Sequence, residues 1–118
     1  DVDPDSLNLR SRGKWITAYI ELLESYNVND INVSSIMLND AVSANSKSKV
    51  IGDHDSDGIP DLMVKFNRTN VISVIFTSIS IKGRFATAKL AITGKLYDGT
   101  LFKGSDTIKI ILPRWILL

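Results

Sequence analysis

Between Arg84 and Tyr97 apolar and polar side chains alternate with a period of two. Ala86, Ala88, Leu90 and Ile92 fall on one side of this run, and Thr87, Lys89 and Thr93 on the other. Successive side chains of a β-strand point to opposite faces, so a run of this kind buries one face and wets the other. Tyr97-Asp98-Gly99-Thr100 then breaks the pattern, and a second apolar-rich run follows from Leu101 to Leu112. An Asp-Gly pair tolerates the positive φ angles that match strand twist, so the two runs are expected to fold as a long antiparallel hairpin. Gly104 is expected to mark a bulge in the return strand.

The same period recurs upstream. In Lys14–Leu22, Ile16, Ala18, Ile20 and Leu22 should face the core, leaving Trp15, Thr17, Tyr19 and Glu21 outward. Ser6–Leu9 reads as a short strand and Arg10–Gly13 as a turn. Ile31 and Val33 point inward around a short connector, Ile36-Met37-Leu38 makes another strand, and Asn39–Lys49 has loop composition. Val50-Ile51 and Leu62–Asn67 are strands, the latter burying Leu62, Val64 and Phe66. Arg68–Ile79 is mixed. Ile72, Ile75, Phe76 and Ile79 have helical spacing, with Thr69 or Asn70 as N-cap, but the composition suits a strand, so a short helical turn leading into a strand is expected. About seven strands separated by turn signals imply an all-β fold, an antiparallel immunoglobulin-like β-sandwich. The 118 residues make one domain, large enough to bury a core without staples.

The chemistry is concentrated in Asp53-His54-Asp55-Ser56-Asp57-Gly58-Ile59-Pro60-Asp61. Carboxylates at relative positions 1, 3, 5 and 9 of a curled loop can aim at one point, with a glycine at 6 for the sharp turn. Calcium takes about 6–8 oxygens at about 2.3–2.6 Å, so Asp53, Asp55, Asp57, Asp61 and the Ile59 carbonyl form a suitable ligand set for Ca2+. The plainer reading is a solvated Asp/Gly turn. Mutual repulsion among four carboxylates weighs against that. His54, at position 2, is expected to point outward, and no second His or Cys exists to build a transition-metal site with it.

An EF-hand would require Glu at position 12, but Val64 stands there, inside a strand-like run. Closing at position 9, Gly52-Asp53-x-Asp55-x-Asp57-Gly58-x-Pro60-Asp61-Leu62 resembles the short calcium loops of FG-GAP/VCBS-type repeats and thrombospondin type 3-like segments. The wider pattern, from Asp3-Pro4-Asp5 to Gly104-Ser105-Asp106, resembles a module of uncharacterised extracellular proteins of bacteria and archaea. The resemblance implies calcium and an extracellular or cell-surface setting, and brings no activity. FG-GAP propellers need several repeats, whereas one loop is present here, so that fold does not carry over.

Composition narrows the functions. A net charge of +1 with no basic block argues against a nucleic-acid partner. No apolar run approaches the ~18–20 residues of a membrane span. The chain starts at Asp1 with neither Met nor an apolar leader, so any signal peptide is expected to have been removed or omitted. With one His, no Cys and no nucleophile elbow, no enzyme is expected. The leading expectation is a non-catalytic calcium-binding structural or adhesion module of a secreted or cell-surface protein, partnered by neighbouring domains. One alternative is a self-assembling surface or filament subunit joined through the apolar tail Trp115–Leu118. Another is a carbohydrate-binding module that stacks a glycan on Trp15 and Tyr19. Asn32-Val33-Ser34 and Asn67-Arg68-Thr69 are acceptor sequences for glycosylation, and Asn67 has outward strand parity.

Overall fold

The computed structural model describes every residue except 1, 4, 5, 9–12, 24, 77–79, 83, 84 and 112–118, and only the backbone of 3, 6, 8 and 80–82. The expected hairpin forms its largest unit. Strand β9 (Phe85–Leu96) pairs antiparallel with β10 (Leu101–Ile111) in unbroken register from Leu101↔Lys95 to Ile111↔Phe85. Gly104 sits in that register opposite Ile92, so the expected bulge is not there. The glycine that packing does require is Gly94. A Cβ on it would lie 2.5 Å from the Phe102 ring on the neighbouring strand.

The other strands are β1 (Val2–Asp3), β2 (Ser6–Asn8), β3 (Trp15–Ile20), β4 (Ile31–Leu38), β5 (Val42–Ser43), β6 (Val50–Gly52), β7 (Asp61–Asn67) and β8 (Ser80–Lys82). They build two sheets. One has the order β1-β3-β7-β6, and the other β2-β10-β9-β4-β5 with β8 also on β9. All described pairings are antiparallel except β10 with β2. A single apolar cluster draws on both sheets, with Ile16, Ala18, Leu62, Val64 and Phe66 from one and Ala86, Ala88, Leu90 and Ile110 from the other. The molecule is therefore an all-β sandwich, and half of its ten described strands are only two or three residues long.

Two local departures have physical causes. Ile31 and Val33 share one parity and Ile36 and Leu38 the other, yet all four are buried within the single strand β4. The register against β9 shifts between Asn32 and Met37, which reverses the parity without ending the strand. Ser35 occupies the irregularity: its Oγ accepts from the Lys95 N–H at 2.8 Å and donates to the Asn32 carbonyl at 2.6 Å. The helical turn is also present, as α1 (Arg68–Ile75), but its N-cap is Asn67, whose side chain accepts from the Asn70 N–H at 3.1 Å. Its buried residues are Arg68, Val71 and Ile75, while Phe76 is exposed. The segment 39–49 is not all loop: Val42 and Ala44 are buried, and the Asn45 N–H reaches across to the Lys65 carbonyl in the other sheet at 2.8 Å.

Candidate metal centre

Strands β6 and β7 pair as far as Gly52↔Asp61, so residues 53–60 form the loop of a hairpin whose ends are already held together. Two left-handed residues curl it, Ser56 at φ 59° and Gly58 at φ 84°. The aspartates fasten the curl from inside. Asp53 accepts from the Asp57 N–H at 3.1 Å and the Gly58 N–H at 2.8 Å, and Asp57 accepts from the Ile59 N–H at 2.8 Å. These are the side chain-to-backbone bonds that Asp makes readily in turns. As a result Asp53, Asp55 and Asp57 each bring a carboxylate oxygen within 4.8 Å of the others.

Asp61 belongs to a second group. One oxygen from each of Glu21, Asp55 and Asp61 also falls within 4.8 Å of the other two. Register explains how Glu21 gets there. The last pair of β3 and β7 is Ile20↔Leu62, so the next residue of β3 arrives opposite Asp61. Glu21 is the residue that sequence reasoning left out of the ligand set; its outward parity put it on the wet face without naming a partner. Of the expected ligands, Asp53, Asp55 and Asp57 converge directly, and Asp61 joins them through Asp55. Ile59 is half-buried, and its N–H donates to Asp57.

Asp61 is only 2% exposed, although it stands on a charged loop. His54 covers it, contrary to the outward position expected. The His54 ring packs against Tyr19 with centroids 4.9 Å apart, and Nε2 lies 3.2 Å from Asp61 Oδ1. The His54 backbone N–H donates to Asp61 Oδ2 at 3.2 Å. The curl brings position 2 back against the sheet while leaving His54 partly exposed to water. Asp61 Oδ1 nevertheless accepts no hydrogen bond among the described residues.

The crowding shows in the acid–base chemistry. Glu21 is pushed up from 4.5 to about 7, first by sharing a proton with Asp57, then by desolvation and the charges of Asp57, Asp55 and Asp61. Asp55 is also raised, chiefly by desolvation. Asp57 is lowered, because the Ile59 N–H and then Glu21 donate to it. Carboxylates that crowd one another in this way form a cluster suited to a cation.

The remaining expected positions lie elsewhere. Trp15 and Tyr19 are both half-buried on one face of β3, but the Tyr19 ring is tilted onto His54 and does not lie open beside Trp15. Asn32 is half-buried and accepts from the Ser34 hydroxyl at 2.7 Å, while Asn67 is exposed at the junction of β7 and α1. The tail at residues 115–118 lies outside the described residues. Among the described residues no helix is long and apolar enough to cross a membrane. No protein-family model, curated protein or solved structure matches the chain.

Proposed function

We propose that the chain is a non-catalytic, calcium-binding structural or adhesion module of a secreted or cell-surface protein. The observation that carries this reading is the convergence of five carboxylates from the β6–β7 loop, the start of β7 and the residue after β3, one of them buried with an oxygen that accepts no hydrogen bond among the described residues. A buried anionic oxygen without a partner costs free energy, and a coordinated cation removes that cost. Calcium suits the donors, which are all hard oxygens, and bound Ca2+ would tie the end of β3 to the β6–β7 loop through Glu21. The extracellular setting belongs to the same reading, because calcium is plentiful outside cells and scarce in the cytosol, and extracellular calcium modules bind at about 10⁻⁴–10⁻³ M.

Binding to the native state alone stabilises by mass action, by about 2.7 kcal/mol when calcium stands at about 100 times its Kd. For a domain of this size that corresponds to a melting shift on the order of 10 °C. Thermal melts followed by circular dichroism should therefore fall by that amount when EDTA replaces calcium. Asp57→Ala should show a clearly smaller difference between the two. A wild-type melt indifferent to the chelator would remove the proposal.

A further inference from the structure

We infer that the acidic end of the sandwich holds two divalent cations, with Asp55 bridging them; this rests on the calcium reading of the loop. The first ion belongs to Asp53, Asp55 and Asp57, the second to Glu21, Asp55 and Asp61. Each group separately meets the size requirement. Oxygens arranged around one calcium at about 2.4 Å lie no more than about 4.8 Å apart, and both groups satisfy that limit. Asp55 is common to the two and has two oxygens to give, as a bridging carboxylate does where metal ions sit about 3.5–4 Å apart.

An independent observation points to the second ion. Asp61 is 2% exposed, its Oδ2 takes the His54 N–H, and its Oδ1 has no hydrogen-bond partner among the described residues. That carboxylate groups with Glu21 and Asp55 and not with Asp53 and Asp57. A cation in the first group would therefore leave the buried Asp61 carboxylate without a cation, whereas a cation in the second would take it as a ligand. Charge favours the same count. One calcium leaves three of the five carboxylate charges without a counter-charge, and two leave one.

The second position is also open to solvent on one side. A pocket of about 340 Å³ is lined by Glu21, Asp55 and Asp61 together with Tyr19, Phe102 and Asp106. Three carboxylates do not fill a shell of about 6–8 oxygens, and water in this pocket supplies the rest.

Native mass spectrometry of the full chain, stripped by chelator and titrated with calcium chloride, tests the inference. The wild type should take up two ions and Glu21→Gln one. Asp55→Asn should weaken both binding steps. Glu21 is exposed and Gln matches its shape, so the variant should keep the wild-type circular dichroism spectrum. A wild type that saturates at one ion, or a Glu21→Gln chain that still takes two, overturns the second site and leaves the loop site standing. A wild type that takes none overturns both.

Discussion

The chain turns twice on an Asp-Gly pair, at Asp57-Gly58 between β6 and β7 and at Asp98-Gly99 between β9 and β10. Both glycines have positive φ, 84° and 92°. In the second turn one carboxylate meets enough donors: Asp98 accepts from the Thr100 N–H at 2.8 Å, and the Thr100 side chain and N–H hold it below its usual 3.8. In the first turn backbone donors reach Asp53, Asp55 and Asp57, yet Asp55 is raised chiefly by desolvation and Glu21 chiefly by its contact with Asp57. The same turn chemistry is self-sufficient with one acid and in deficit with several. That deficit, and not the presence of aspartate in a turn, marks the site.

The largest expected effect comes from Asp61→Asn, which removes a buried negative charge and keeps its shape. In calcium this variant should be about 2–3 kcal/mol less stable than the wild type, having lost the stabilisation conferred by the ion at Glu21, Asp55 and Asp61. In EDTA it should be at least as stable, because repulsion has been relieved. Urea melts under the two conditions separate these outcomes, and a loss of equal size in both would make Asp61 a packing residue instead. Alanine at the two glycines sharpens the contrast at smaller amplitude. A Cβ in the left-handed region costs about 1–2 kcal/mol at either turn. Calorimetric titration of Gly58→Ala should show weakened calcium binding, while Gly99→Ala should bind calcium as the wild type does and simply melt earlier.

The two turns should also respond to pH with opposite signs. Glu21 in the calcium-free native chain keeps its proton up to about 7, but the unfolded chain loses it near 4.5. The native state thus binds more protons between those values, and calcium-free stability should fall as pH rises through that window. Asp98 has a lowered native value, so its contribution is complete above 3.8 and disappears as pH falls through that lower value. Denaturant midpoints measured in EDTA from pH 4 to 8 check the first statement, and a flat profile would contradict it. The smallest effect is expected from Asp98→Ala: a slight loss, equal with and without calcium and vanishing in strong acid. Melts across the same conditions would show it.

Much of the sandwich could be read along the chain because period-two alternation is a local property. Ile16, Ala18 and Ile20, Leu62, Val64 and Phe66, and Ala86 to Ile92 all face inward as their parity requires. The hairpin at Asp98-Gly99 was readable for the same reason, although only Gly99 adopts the positive φ and Asp98 instead accepts from the turn. Asp53, Asp55 and Asp57 converge as their spacing implies, since the loop's own hydrogen bonds bring them together. What could not be read depends on how one strand slides against another. Nothing near Glu21 in the chain announces Asp61, forty residues on; the β3–β7 register alone places them side by side.

By itself, then, the sequence determined most of the longer strands, the two Asp-Gly turns and an acidic loop with calcium-ligand spacing. Each of these rests on neighbours in the chain, whose relative positions are limited by bond geometry and a repeat of two. Tertiary structure decided that Asp61 is buried, that His54 folds over it and that Glu21 enters the cluster. Those outcomes rest on cross-strand pairing and on the exclusion of water, which are set when the sheets assemble.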